Sequence, residues 1–102
     1  MMNIEFYKME KKILKFSSSW CFPCRILKQT FDDILKMEEF KNIEVIELDV
    51  DDPNNNELCF KHQVRSIPTL VMLDENDNVL NKIMGAVPKN NLIDILKQTY
   101  NV

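Results

Sequence analysis

The stretch Phe16-Ser17-Ser18-Ser19-Trp20-Cys21-Phe22-Pro23-Cys24 decides how this chain folds. It connects an apolar run that starts at Ile13 to a segment in which apolar residues recur at helical spacing. The two cysteines therefore lie where a strand gives way to a helix, with Cys21 at the helix N-terminus and Cys24 one turn inside. Pro23 suits the first helical position because its missing N–H would have no intrahelical partner there.

This placement of Cys21 and Cys24 predicts redox chemistry. The two thiols can close a disulfide across one helical turn. The first-turn N–H groups and the helix dipole favour a thiolate at Cys21, and motifs of this kind lower the pKa of a thiol below its ordinary value of about 8.5. Cys21 is the predicted nucleophile that attacks a substrate disulfide, and Cys24 is the resolving thiol that then attacks Cys21 and releases the reduced substrate. Two electrons move, and no cofactor is needed.

The rest of the chain alternates short apolar runs with stretches of helical spacing, which is typical of an α/β protein. Strands are predicted at 13–16, 44–50, 69–73 and 79–84, and helices at 24–38, 52–62 and after 88. Residues 1–11 fit a strand and a helix equally well. Because the turn at 74–78 contains no glycine, we expect an Asn or Asp to adopt any left-handed conformation there.

The composition limits both the size of the protein and its partners. Its 102 residues, 45% of them hydrophobic, predict one domain spanning 1–102. The single glycine excludes glycine-rich phosphate loops, and a net charge of -3 with interspersed signs argues against general nucleic-acid binding. The first residues are too polar for a signal peptide, and no run of about 18 apolar residues occurs, so we expect no membrane association. We expect a cytoplasmic protein for the same reasons, and the odd number of cysteines, three, makes a secreted disulfide framework a poor explanation.

Three landmarks, in order and spacing, resemble the thioredoxin family: Trp20-Cys21-x-Pro23-Cys24, Val64-Arg65-Ser66-Ile67-Pro68-Thr69 and Met84-Gly85-Ala86. The resemblance covers the chain from about Ile13 to the C-terminus. It implies a thioredoxin fold, with a central mixed sheet of four to five strands, helices on both faces and a shortened N-terminal element. It also implies a thioredoxin-type protein-disulfide oxidoreductase, a monomer whose redox-active Cys21–Cys24 disulfide replaces any cofactor or metal. After the protein has reduced a disulfide-containing protein, a thioredoxin reductase or an equivalent electron donor would reduce the Cys21–Cys24 disulfide back to the dithiol.

The resemblance also assigns roles around the two cysteines. It implies a cis Ile67–Pro68 bond beside the disulfide, which leaves the backbone of Ile67 free to pair with an extended substrate. Trp20 would shield the disulfide and contact partners, and Phe22, which replaces the glycine common in the family, would make the rim more apolar. Gly85 would lie next to Pro68, and we expect substrate access, more than turn geometry, to explain its lack of a side chain.

A pair of charges departs from the family pattern. Where the family usually has a buried aspartate, six residues before the nucleophile, this chain has Lys15, and the usual lysine partner aligns with Glu47. Both signs are exchanged, which keeps a neutral pair in a place where a lone charge would cost several kcal/mol. We therefore predict that Lys15 and Glu47 face each other behind Cys24, and that Glu47 or a buried Lys15 relays a proton. The alternative is that Lys15 points to solvent at a sheet edge.

Other interpretations remain open at this stage. Cys59 and His62 form a Cys-x-x-His that, together with Cys21 and Cys24, has the ligand types of a zinc site. In the thioredoxin alignment Cys59 is instead a small core residue on the inward face of a short helix, or a regulatory thiol, and His62 faces solvent. A glutaredoxin-like thiol transferase is a second enzymatic hypothesis. A third is a non-catalytic partner that docks through the thioredoxin surface.

Overall fold

The computed structural model describes residues 11–102. The predicted shortened N-terminal element, and all but the last residue of the segment 1–11 that fits a strand or a helix, lie outside the described part. The described strands are β1 (Lys11–Ser17), β2 (Ile43–Asp49), β3 (Thr69–Leu73) and β4 (Val79–Met84). The helices are α1 (Phe22–Ile34), α2 (Asn56–Lys61) and α3 (Lys89–Tyr100), with 3-10 turns at Glu38–Phe40 and Pro53–Asn55. All the predicted strands and helices within this range are present, with shifted bounds in some of them.

The described strands form one sheet in the order β2-β1-β3-β4. β1 and β2 run parallel, whereas β3 is antiparallel to both β1 and β4. The sheet is therefore mixed, as predicted, and β1 lies in its interior. Because β1 has a neighbouring strand on each side, its end is held firmly in the sheet. The loop that follows β1 therefore begins at a fixed position.

Helices cover both faces of the sheet, because alternate residues of its strands point to opposite sides. Ile13 packs in one hydrophobic cluster with residues of α1 and α3, whereas Leu14 and Phe16 pack in a second cluster beneath α2. The first cluster contains Leu27, Phe31, Ile34, Leu92, Leu96 and Tyr100. This two-sided burial confirms the predicted layer arrangement and fixes α1 against the face that carries Lys15.

Helix α1 ends earlier than its apolar spacing predicts. The spacing continues to Glu38, but the helix stops at Ile34 and Met37 adopts an extended backbone with φ -77° and ψ 142°. This break directs the following 3-10 turn so that Phe40 is completely buried in the first cluster. The residues from Leu35 to Glu39 are good helix formers, so the helix ends against their intrinsic preference, and the burial of a large aromatic side chain outweighs that preference.

Two predicted turn features are confirmed. The Asp52 carboxylate accepts a hydrogen bond from the Asn54 N–H at 3.0 Å and starts the 3-10 turn before α2. In the glycine-free turn before β4, Asp77 adopts the left-handed conformation with φ 63°. Asp74 accepts hydrogen bonds from the Asn76 and Asn78 N–H groups at 2.8 and 2.9 Å, and the bond from Asn78 contributes most to lowering the pKa of Asp74.

Candidate active site

Cys21 is the N-cap residue of α1, directly after the loop that leaves β1. Its backbone is extended, with φ -90° and ψ 109°, and its sulfur accepts a hydrogen bond from the Cys24 N–H at 3.2 Å. The two cysteines form a disulfide, with their Cα atoms 5.2 Å apart. The helix start therefore gives Cys21 Sγ an N–H donor and the positive end of the helix dipole, both of which favour a thiolate after reduction.

The disulfide is buried under an exposed apolar rim. Cys21 and Cys24 are only 4% and 3% exposed, whereas Trp20 and Phe22 are each 66% exposed. Large apolar side chains that stay exposed beside a reactive group mark a contact surface more often than a defect of packing. This exposure fits the partner contact predicted for Trp20 and the apolar rim predicted for Phe22.

The Trp20 ring is held in place by a polar contact. Its Nε1 atom donates a hydrogen bond to Oδ2 of Asp51 at 2.8 Å, and Asp51 is the second residue after the end of β2. On the other side of the motif, the Arg25 guanidinium donates to the Ser19 carbonyl at 3.3 Å. These two bonds tie the loop before Cys21 to its surroundings, which reduces the freedom of the rim before any partner binds.

The Ile67–Pro68 peptide bond is cis, as the resemblance implies. Ile67 lies in the loop that leads into β3, and it shares a groove with Cys21. Within residues 11–102, neither the N–H nor the C=O of Ile67 has a backbone hydrogen-bond partner. An extended peptide could therefore form a short β-type pairing with Ile67 at the place where the disulfide lies.

Gly85 lies next to Pro68, because its N–H donates to the Pro68 carbonyl at 2.8 Å. Its φ is +95°, a conformation that residues with a side chain rarely adopt, and a Cβ atom added there would meet nothing within 4 Å. The expectation that access explains this glycine better than turn geometry is therefore corrected, since the backbone conformation is a sufficient reason for it. The open space above Gly85 remains compatible with an approaching substrate.

A groove of about 760 Å³ runs beside the disulfide. The predicted site residues on its wall are Trp20, Cys21, Phe22, Pro23 and Ile67. The residues that sequence reasoning did not place there are Val50, Asn56, Cys59, Val64, Arg65 and Ser66. Arg65 and Ser66 have a sequence signal, because they stand directly before the Ile67–Pro68 bond. Val50 and Asn56 follow β2 and reach the groove only through the tertiary fold.

Lys15 and Glu47 form the predicted pair. They are direct neighbours in the parallel ladder between β1 and β2, with Lys15 Nζ 2.6 Å from Oε2 of Glu47. Ser17 donates its hydroxyl to the other carboxylate oxygen at 3.2 Å. The Lys15 side chain is 2% exposed and that of Glu47 52% exposed, so only the cation is buried. The alternative of a solvent-facing lysine at a sheet edge is wrong, because β1 is an interior strand.

The pair opens into a cavity of its own and not into the groove of Cys21. This cavity, of about 180 Å³, is bounded by Lys15 and Glu47, by Lys28 and Phe31 of α1, and by Leu35 just after that helix. Lys28 lies one helical turn beyond Cys24, so the pair sits beneath the first turns of the same helix that carries the disulfide. The cavity exceeds the roughly 30 Å³ that one water molecule occupies.

Cys59 faces inward as predicted, although it is only partly buried, whereas His62 differs from its predicted surroundings. Cys59 is a free, half-buried thiol on α2 that packs against the second cluster and lines the groove, and burial raises the pKa of this thiol. His62 is half-buried too, with its ring centroid 6.1 Å from that of Phe16, and not solvent-facing as predicted. Burial, followed by the nearby charges of Lys61 and Lys82, lowers the pKa of His62.

The zinc hypothesis finds no support in the described part of the chain. Cys21 and Cys24 bond to each other, and residues 11–102 contain no group of three or more His, Cys, Asp or Glu side chains that could hold a metal ion. In the same range, no helix is long and apolar enough to cross a membrane.

A Cys-x-x-Cys disulfide at the start of the helix after an interior strand of a mixed sheet, facing a cis-proline loop, defines a class of proteins, the thiol–disulfide oxidoreductases. The thioredoxin family model matches residues 3–98. The chain is 32% identical to the thioredoxin of Mycoplasmoides gallisepticum over 88 residues, which are 86% of this chain and 83% of that protein. It is also 32% identical to a Staphylococcus epidermidis thioredoxin over 85 residues, which are 83% of this chain and 78% of that one.

Solved structures agree with these relatives. Thioredoxin-2 of the malaria parasite superimposes with a TM-score of 0.75 at 30% identity, covering 86% of this chain and 82% of that chain. The chain therefore belongs to the thioredoxin family, and it is a thioredoxin-type disulfide oxidoreductase.

Proposed function

We propose that this protein reduces protein disulfides by dithiol–disulfide exchange, with Cys21 as the nucleophile and Cys24 as the resolving thiol. The observation that carries the proposal is the hydrogen bond from the Cys24 N–H to Cys21 Sγ, because it places Cys21 at the helix N-terminus. The groove supports this order of attack, since it is lined by Cys21 and by the unpaired backbone of Ile67 but not by Cys24.

The proposed reaction has two steps. The Cys21 thiolate attacks one sulfur of the substrate disulfide, forms a Cys21–substrate disulfide and expels the other substrate sulfur as a thiolate. The Cys24 thiolate then attacks Cys21 Sγ, which expels the second substrate thiolate and leaves the Cys21–Cys24 disulfide. The substrate gains two electrons and its two thiolates take up protons. An external dithiol or a reductase returns two electrons to the cysteine pair.

The roles proposed for the surrounding residues follow from their positions. Trp20 and Phe22 would contact the partner protein, Pro23, in the first turn of α1, would favour the start of that helix, and the Ile67 backbone would pair with the substrate. Gly85, which hydrogen-bonds to Pro68, would leave room for that segment.

The biological setting is part of the same proposal. Residues 1–102 would form one thioredoxin domain that acts as a monomer on disulfide-containing proteins, with a thioredoxin reductase or an equivalent donor as its electron source. The family match over 3–98 supports one domain. A reducing cytoplasmic compartment is supported by Cys59, which has no disulfide partner in the described residues.

Reduction of insulin with dithiothreitol as the electron donor tests this function. The wild-type protein should accelerate insulin precipitation, whereas Cys21→Ser should fall to the rate of dithiothreitol alone, because serine cannot form the mixed disulfide. Cys59→Ser is the matched control, since it removes a thiol from the same groove and should retain most of the activity. Equal rates for wild type and Cys21→Ser would contradict the proposal.

The Lys15–Glu47 pair is proposed to relay the proton that leaves the Cys24 thiol. Its place beneath α1, in a cavity that reaches Lys28 one turn beyond Cys24, supports this role. Lys15→Met should slow the release of a chromophoric thiol from a preformed Cys21 mixed disulfide by about tenfold or more near pH 7, with an altered pH profile. Lys36→Met, which removes an exposed lysine, is the control. An unchanged profile in Lys15→Met would end the relay hypothesis.

A further inference from the structure

A second groove continues the groove beside the disulfide. It has a volume of about 490 Å³ and lies at the end of α2 and the loop that follows. The two grooves share Cys59, Val64 and Arg65, and the second one is completed by Phe60, Lys61 and Gln63. The two grooves are therefore adjacent, and a partner segment that lies against Cys21 and Ile67 can reach the second groove across these shared residues.

The walls of the second groove are fixed by main-chain hydrogen bonds. Gln63 is left-handed with φ 53°, its N–H donates to the Phe60 carbonyl at 3.1 Å, and the Val64 N–H donates to the Cys59 carbonyl at 2.9 Å. This pair of bonds is the Schellman arrangement that ends a helix. Lys82, from β4, donates its ammonium to the Gln63 carbonyl at 3.2 Å. The groove is thus preformed, which lowers the entropic cost of binding a segment there.

The chemistry of the second groove is apolar and positive. Phe60 is 87% exposed, more than any other large apolar side chain of residues 11–102. Lys61 and Arg65 are the charged residues that line the two grooves, and in the described part of the chain neither has an ion-pair partner. This cationic lining contrasts with the net charge of -3 of the whole chain. The charge favours an acidic occupant.

We propose that the second groove binds an acidic and apolar segment that flanks the disulfide of a protein substrate. An apolar side chain of that segment contacts Phe60, and a carboxylate pairs with Arg65 and Lys61. Exposed charge pairs of this kind select and orient a partner more than they tighten its binding. The inference rests on the proposed function, because the groove selects substrates only if Cys21 attacks the neighbouring disulfide.

Peptide disulfides provide the test. Each peptide carries one apolar residue and one cysteine, and the cysteine forms a disulfide with a reporter thiol. In each series, a glutamine at one of the flanking positions is replaced either by glutamate or by lysine, and the position is varied from peptide to peptide. At about 50 mM salt, the wild-type protein should reduce the best glutamate peptide about fivefold faster in kcat/KM than its lysine counterpart, and this ratio should shrink at about 500 mM salt. Arg65→Glu should invert the preference, and Phe60→Ala should slow all peptides alike. Both residues are exposed, so the variants should fold.

Lys36→Glu is the matched control, because it makes a charge change of the same size and sign at an exposed position outside both grooves. It should keep the wild-type preference. Hydroxyethyl disulfide, a small neutral substrate, shows whether the protein is active. If it is still reduced, then equal rates for glutamate and lysine peptides, or the same change of preference in Lys36→Glu as in Arg65→Glu, would overturn the inference. Failure to reduce hydroxyethyl disulfide as well would contradict the proposed function and the inference with it.

Discussion

Changing Cys24 to serine is expected to stop multiple turnover and to leave a single round of attack on a substrate disulfide. Cys21 keeps its position at the N-terminus of α1, and the backbone N–H of residue 24 that donates to its sulfur is retained in the variant. The first thiolate should therefore still attack and release one substrate thiolate. The mixed disulfide then has no internal thiol to resolve it, so each molecule stays bound to one substrate.

Turnover of Cys24→Ser should fall by about a thousandfold or more relative to wild type, because resolution then depends on external thiol. Turnover is compared at a low concentration of dithiothreitol as the electron donor, and the first round is followed separately without dithiothreitol, as the release of reporter thiol and of peptide thiol from a peptide disulfide. The expected result is a burst of one equivalent per protein molecule followed by no further release. Reduced wild-type protein should also release one equivalent of reporter but should release the peptide thiol as well. Release of the peptide thiol by Cys24→Ser in the absence of dithiothreitol would contradict the two-thiol order, because it would show that Cys24 is not needed to resolve the mixed disulfide.

Replacing Glu47 with leucine is expected to destabilise the protein by about 2 to 4 kcal/mol, because it leaves the Lys15 ammonium without its partner. Lys15 is almost completely buried, whereas half of the Glu47 side chain is exposed, and this exposure places the loss toward the lower end of the range for buried pairs. Lys15→Met removes the buried charge itself and should change the free energy of unfolding by less than about 1 kcal/mol.

A double-mutant cycle separates the pair from its surroundings. In the Lys15→Met background, the change Glu47→Leu should cost far less than in wild type, because no unpaired cation remains. The measurement is urea unfolding of the oxidised proteins at one pH, with unfolding slopes compared to confirm that all variants unfold alike. Equal costs of Glu47→Leu in the two backgrounds would show that Lys15 and Glu47 do not interact energetically.

Local sequence signals predicted the elements of the fold well and their ends less well. β3 and β4 have the bounds that their apolar runs predict, and Asp77 takes the left-handed turn position that the absence of glycine requires. The end of α1 was not predictable, because the apolar spacing continues to Glu38 and the helix is broken to bury Phe40. That burial depends on contacts far along the chain.

The features of the site also fall into those that the sequence predicted and those that it did not. The Cys21–Cys24 disulfide was predicted from the spacing of the cysteines and their position at the helix start. The cis bond before Pro68 was predicted only from the family resemblance, because a proline at the start of a strand does not by itself specify a cis peptide bond. The half-burial of His62 depends on its packing against Phe16, which no local pattern encodes. The second groove at Phe60 was missed for the same reason, because its walls come together only when α2 packs on the sheet.

The most direct test of the central claim is to locate the substrate adduct on the Cys24→Ser protein by peptide mass spectrometry. We predict one substrate equivalent, bonded to Cys21, which is lost on addition of dithiothreitol. Cys59 should stay unmodified, because burial raises the pKa of its thiol. An adduct on Cys59 in place of Cys21, or no adduct with a disulfide peptide in excess, would contradict the claim that Cys21 is the attacking thiol.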